Sequence, residues 1–450
     1  MIPGAPSALL ALGALSSVVI ALFLLRAMPR AGFALWTAVM FLVPVWVGVA
    51  LGIIWPAILA LTVAMLVANV HRIELVAGDV LMAVFVVMLL GLHVLGRVGL
   101  GETVVGVLEW AVPYAWGRVV LARVDVRWVS TAITLCACVA ALLAIVEFAT
   151  TWNPFILIPG QEPLYSSWNT LQERGGIVRV EGAFGHSIAL GAALAVSTAF
   201  AVAAPWRTAP KLLAVGLLGA ATVLTFSRTG IVTMVITLVL AVWLLPSVTR
   251  RFKIILTAVG LVGGLVALPI VSSVLDAAGR EAEGSAGYRT DLLVLLGQVD
   301  LLGNAGPWQS LVSGDFYLGY FARSIDNALM LALLRYGVVP TAVVLAVIVS
   351  AAALALRRES RSPAAIAVLG QLPSLVVVAL ITQYGALLWF TVGLALSWHG
   401  RSHDGEGRGP ATERGATATS RPVRPLTSGI AGGRVGSQNI EGGKAWRSRG

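Results

Sequence analysis

Apolar runs of membrane-crossing length recur in this chain from its N-terminus to about residue 400, and they leave it very few possible folds. A helical run needs about 20 residues to cover the roughly 30 Å of a bilayer core. Only helices and closed barrels satisfy every backbone N–H and C=O in lipid. The runs are continuous rather than alternating, which argues against a barrel. Only 12% of residues are charged, and the mean hydropathy is +0.90. The chain reads as an all-α, polytopic transmembrane helical bundle of about 12–13 spans with two long extracytoplasmic loops.

Spans are expected near Pro6–Leu25, Gly32–Val49, Ile53–Val70, Leu75–Leu95, Thr103–Val120, Trp128–Phe148 and Phe184–Ala204. Others follow near Lys211–Phe226, Thr229–Leu245, Ile254–Val274, Asp326–Leu356 and Ala364–Ile381, with a shorter run at Gly385–Trp398. Between the second and third, only Gly48 and Gly52 suggest a turn. No internal repeat relates the spans, which weakens a secondary-transporter reading.

Charge then assigns sides. Alternate short loops hold Arg26 and Arg30, Arg72, Arg118 with Arg123 and Arg127, Arg207 with Lys211, Arg250 with Arg251 and Lys253, and Arg357 with Arg358 and Arg361. An excess of Lys and Arg marks cytoplasmic loops, so the net charge of +10 is a topology signal and not a nucleic-acid signal. The N-terminus, which lacks a basic region before its apolar run, is expected outside and the C-terminus inside. The loops 150–183 and 275–325 then fall outside the cytoplasmic membrane. Residues 1–400 form the membrane domain. Residues 401–450, rich in Gly, Ser, Thr and Arg, are expected to be a disordered cytoplasmic tail, solvated or resting on anionic lipid. Cys136 and Cys138 share one span and point to different faces, which makes them inert core thiols.

Chemistry is expected where charge meets the membrane. Thr225-Phe226-Ser227-Arg228-Thr229-Gly230 leaves no room for a loop between two apolar runs, and it puts Arg228 at the outer face. The first long loop ends in Arg179, Glu181 and His186 just before a span, at the same level as Arg228. Arg179 and Glu181 can equally anchor the loop as an ion pair, and His186 can be a satisfied interfacial histidine. The second long loop carries Tyr288, Arg289 and the apolar segment Leu292–Val299, which reads as a helix lying along the interface. It ends in Asp326 and Asn327, in the first turn of a span, where a carboxylate is favoured by the helix dipole or acts as a plain cap. Asp79, Glu109, Glu147 and Arg335 are candidates for ion pairing within the membrane.

The combination resembles the O-antigen ligase and O-antigen polymerase superfamily of bacterial envelope proteins. Tyr114-Ala115-Trp116-Gly117-Arg118 resembles its Tyr-x-x-Gly-Arg signal, and Arg179 to His186 its Arg-x-x-Gly-x-Phe approach to a span. Ser227-Arg228-Thr229-Gly230 resembles its break between two spans. Arg289 resembles an arginine early in its large outer loop, and Asp326-Asn327 followed by Gly337 that loop's end. The resemblance covers roughly residues 118–358. It departs at Asp326, where the family's ligases carry histidine before the asparagine. That departure favours a polymerase or general lipid-to-glycan transferase over a strict lipopolysaccharide ligase.

The resemblance implies a glycan donor on undecaprenyl pyrophosphate, a glycan or lipid acceptor, membrane lipids around the protein and no nucleic acid. Arg228, Arg289 and Arg179 are expected to neutralise the pyrophosphate leaving group, since guanidinium groups pair with phosphate oxygens through permanent charge and forked hydrogen bonds. Asp326 is the first expectation for the base that takes the acceptor proton, with His186 or Glu181 second. Ser227, Tyr288 and Asn327 complete the expected substrate contacts. No His, Asp or Glu cluster with metal-ligand spacing is present in the sequence, so a metal-independent enzyme without cofactor is expected. The rival reading is a flippase for the same lipid, or another multi-span transporter without catalysis.

Overall fold

The computed structural model describes residues 5–174, 176–277, 292–306, 312–313, 316–317 and 327–407. It is mostly helical, with three small two-stranded antiparallel ladders among the described residues. Among the described residues, three helices are long and apolar enough to cross a membrane: α4 (Ala77–Val94), α5 (Leu100–Ala122) and α6 (Val126–Thr150).

Helix α1 (Ala5–Ala27) meets α2 (Pro29–Leu42) at a sharp bend of 111°. Pro29 has no N–H to continue the first helix and is suited to begin the second. The apolar run then forms a hairpin, β1 (Gly48–Leu51) with β2 (Ile53–Pro56), before α3 (Ala57–Ala68). Gly52 turns the hairpin at φ +72. A Cβ on Gly48 would collide with the Trp55 carbonyl, so glycine permits the two strands to meet. The two spans expected at Gly32–Val49 and Ile53–Val70 are therefore helices of 14 and 12 residues joined by strands.

The second half contains α7 (Ser187–Ala203), α8 (Thr208–Leu224), α9 (Arg228–Leu244) and α10 (Arg250–Ala277). It continues with α11 (Ala328–Tyr336), α12 (Val338–Ala353), α13 (Pro363–Gln371) and α14 (Thr382–Gly407). The expected single span Asp326–Leu356 is instead two helices. Gly337 breaks it at φ +86, with space so tight that a Cβ would sit 2.9 Å from the Asp300 carbonyl oxygen. Helix α14 runs past Trp398 and Arg401 to Gly407. The rest of the expected tail, 408–450, lies outside the described residues.

Helix α7 is the centre. Fifteen of its 17 residues are buried, and most are Ala, Gly, Ser or Thr. It is packed by α6, α8, α9 and α13. Small side chains let helix backbones approach closely, the usual basis of packing where the surroundings are apolar. Gly191 and Gly230 are one such pair, because a Cβ on Gly230 would lie 3.2 Å from the Gly191 Cα.

The connections gather at two ends. At one, which we call the arginine end, Arg30 pairs with Asp125 at 3.0 Å, Arg26 donates to the Ala68 carbonyl at 3.0 Å, and Arg123 donates to the Arg26 carbonyl. Nearby, Arg118 makes a buried forked pair with Asp79, at 2.7 and 2.8 Å, and donates to the Glu74 carbonyl. Tyr114 adds a 2.6 Å hydrogen bond to the same carboxylate, which also caps α4 through the Val76 N–H. The Tyr114–Arg118 motif is thus an architectural clamp. Gly117 belongs to it for a packing reason, since a Cβ there would strike the Phe390 carbonyl of α14.

The other, or loop, end gathers the hairpin, the segment 151–186 and the break between α8 and α9. Trp46 donates to the Ile158 carbonyl at 2.9 Å, and Gln383 donates to the Val43 and Ala183 carbonyls. The segment 292–306 packs on the end of α4, where Arg97 pairs with Asp300 at 3.2 Å. Its Leu292–Gln298 stretch, expected as an interfacial helix, is a 3-10 helix with Leu293 and Val294 exposed.

Candidate functional site

The break between α8 and α9 is built from its own hydroxyls. Thr225 Oγ1 donates to the Thr222 carbonyl at 2.7 Å and accepts from the Ser227 N–H. Ser227 Oγ then caps α9, accepting from the Gly230 N–H at 3.1 Å. Phe226, between them, sits at φ +45 and is buried. A bulky residue in the left-handed region is strained, and such strain collects at functional sites. Arg228 is the first residue of α9 and is exposed. Among the described residues its side chain has no hydrogen bond or ion pair.

Arg179 reaches the same break from the first long loop. Its Nε donates 2.9 Å to the Thr225 carbonyl, and Nη1 lies 3.4 Å from Gln172 Oε1. The side chain is buried. Gln172 is a node, because its Oε1 also accepts from Ser187 at 3.0 Å and its N–H donates 3.0 Å to Glu181. Arg179 and Glu181 therefore form no direct ion pair; each is held by Gln172 instead.

Glu181 is 1% exposed. Burial pushes its carboxyl up to about 8; the Glu147 carboxylate adds to the rise, against the Gln172 N–H and Arg179. Glu147 anchors the loop. Its carboxylate accepts from the Glu181 and Gly182 N–H groups at 3.1 and 2.9 Å and from Asn153 at 3.0 Å. The sequence marks Glu147 only as a candidate ion-pair partner, and backbone amides take that place. His186 caps α7, accepting from the Ile188 N–H at 3.2 Å through Nδ1. Burial, helped by the Arg179 charge, holds its pKa down at about 3, so the ring is neutral at pH 7. The Trp168 ring meets it edge-on at 5.8 Å. His186 is thus a helix cap.

Asn327 also caps: its Oδ1 accepts from the Met330 N–H at 2.9 Å at the start of α11. Tyr288, Arg289 and Asp326 lie outside the described residues. The structure thus brings Arg179, Ser227 and Arg228 together, and places Glu181 and His186 beside them as supports.

Sequence reasoning did not anticipate a cavity of about 330 Å³ adjoining this cluster. Trp168 belongs both to its wall and to the His186 contact. The cavity reaches inward between α3, α5 and α11, where Glu109 and Arg335 line it. Glu109 is surrounded by protein yet keeps exposed surface, as a side chain facing an internal space does. Residues Val105–Ala111 of α5 are wound as a π-helix. The cause is Pro113, which has no N–H for the Glu109 carbonyl four residues earlier and would clash with it in a regular helix. Single π turns recur at functional sites. A proline four residues after an intramembrane acid was the available signal. Among the described residues, no group of three His, Cys, Asp or Glu side chains is placed to hold a metal ion.

Comparison with protein-family profiles and with curated proteins finds no match to this chain.

Proposed function

We propose that this protein is a polytopic membrane transferase of the O-antigen ligase and polymerase kind. In this reading it moves glycan from a polyprenyl-pyrophosphate carrier to an acceptor hydroxyl at the outer face of the cytoplasmic membrane. The remaining apolar helices serve as spans beside the three long ones. Exposed Val87, Val139, Trp243 and Val259 then face lipid. The loop end is outside and the arginine end inside, with about 12–13 crossings in all.

The observation that carries the reading is the Arg179–Thr225 bond, which brings a second guanidinium to the break that presents Arg228. Arg228 opens α9, and its own N–H and that of Thr229 have no acceptor among the described residues. A helix N-terminus with free amides and an adjacent arginine attracts phosphate. The pyrophosphate leaves with the bonding electron pair as the acceptor oxygen bonds to the anomeric carbon. Its charge needs neutralising, which arginine does without a proton. Asp326 takes the acceptor proton. A flippase would need a wide cationic cavity, whereas the cavity here is small and pairs one arginine with one glutamate.

The test is Arg228→Ala in cells of the source organism. Surface polysaccharide should fall by about 10²–10³-fold in rate of formation, with single lipid-linked units accumulating. Unchanged polysaccharide length and amount, at normal protein levels, sinks the proposal.

A further inference from the structure

The cavity beside the site contains two opposite charges that do not touch. Glu109 on α5 and Arg335 on α11 both line it and sense each other's charge. Neither makes a hydrogen bond or a direct ion pair among the described residues. Thr382, on a third wall, has its hydroxyl buried without a partner and its backbone at φ +49. A β-branched residue rarely adopts that conformation. Two walls of one small space are thus held in costly backbone, a π turn and a left-handed threonine, and the Thr382 hydroxyl is buried there without a partner.

We propose that this cavity binds an uncharged saccharide unit of one or two rings, with Glu109 and Arg335 as its hydrogen-bonding groups and Trp168 as its flat wall. Sugar hydroxyls both donate and accept, so one ring can donate to the carboxylate and accept from the guanidinium. The pair sums to zero charge. A phosphate entering here would meet Glu109, and a cation would meet Arg335. A hydrocarbon tail would leave both charges and the Thr382 hydroxyl without partners, at a cost of several polar contacts. Trp168, half-buried in the lining, offers an apolar face to the C–H face of a sugar ring. The volume of about 330 Å³ stands at the small end of ligand pockets, which suits one or two rings rather than a long chain. That the ring is the acceptor end of a growing glycan rests on the transferase reading above; that the cavity takes sugar does not.

The test uses the full chain in lipid nanodiscs and saturation-transfer NMR with the methyl glycosides of glucose, galactose, mannose, rhamnose and N-acetylglucosamine. At least one glycoside should receive saturation, and its signal should fall at least about tenfold in Glu109→Gln, as expected when a charged hydrogen-bond acceptor is lost. Ala386→Phe, which fills the cavity from its wall and leaves both charges in place, should abolish the same signal. Both variants should melt within a few degrees of the parent. Signals no greater than those of empty discs for every glycoside, or signals that both variants leave intact, overturn the proposal. Arg228→Ala should keep the sugar signal. An unaltered polysaccharide in that variant defeats the transfer reading and leaves the sugar site standing.

Discussion

Two acids on helices of this bundle, Asp79 and Glu109, meet their arginines in opposite ways. At the arginine end Asp79 is closed on all sides by Arg118, Tyr114 and the Val76 amide. In the cavity that reaches inward from the loop end, Glu109 and Arg335 line the same space without touching. The left-handed non-glycine residues follow the same division. Among the described residues they are Thr151, Phe226 and Thr382, and all three stand at the loop end. The difference teaches where this fold invests in stability and where it holds groups ready for something else. A closed pair removes its own need for a partner, while an open pair in strained surroundings keeps that need.

The comparison breaks first at Arg118. Arg118→Ala leaves a buried carboxylate without its cation and should destabilise the protein by about 3–5 kcal/mol, read as lost folded yield and a lowered melting temperature in detergent. Equal stability of this variant and the parent would remove the contrast altogether. Glu181 gives the next effect, as a pH dependence. Its folded pKa of about 8 stands above the ordinary 4.5, so its protonated form is the one the fold favours. Its contribution is complete below about pH 4.5 and is lost as pH rises through about 8. Melting temperature should therefore decline over that window, and Glu181→Gln should flatten the decline. Gly117→Ala, which pushes a methyl group into α14, should cost about 1–3 kcal/mol. His186→Ala removes a helix cap and should cost about 1 kcal/mol, with His186→Asn recovering most of it. The smallest expected change is Glu109→Gln, within about 0.5 kcal/mol of the parent, because no direct partner is lost. A loss there as large as that in Arg118→Ala would make the two acids alike.

Much of the helical pattern was legible in the chain. The expected spans at Leu75–Leu95 and Trp128–Phe148 fall within two residues of α4 and α6 at each end. Charge, glycine and a tight break also pointed to Ser227-Arg228-Thr229-Gly230, where a cap and a close helix crossing are found. Apolar periodicity could not separate Gly48–Pro56 from a helix, since valine and isoleucine suit either state. Nor could it stop the run at Gly337, because the reason lies in the Asp300 carbonyl of a distant segment. Arg179 was singled out, with Glu181 as one candidate partner. Its Nε donates to a backbone carbonyl, a group present at every residue and therefore invisible to sequence inspection.

By itself, the order of residues determined the apolar helical character and the tight break at Thr225–Gly230. These follow from local composition and spacing, which act before any long-range contact forms. Tertiary structure alone decided that Glu147 would be satisfied by the amides of Glu181 and Gly182, that Gly191 would meet Gly230, and that Glu109 and Arg335 would line one cavity. Each of those joins segments tens to hundreds of residues apart, so its energy exists only after the helices have packed.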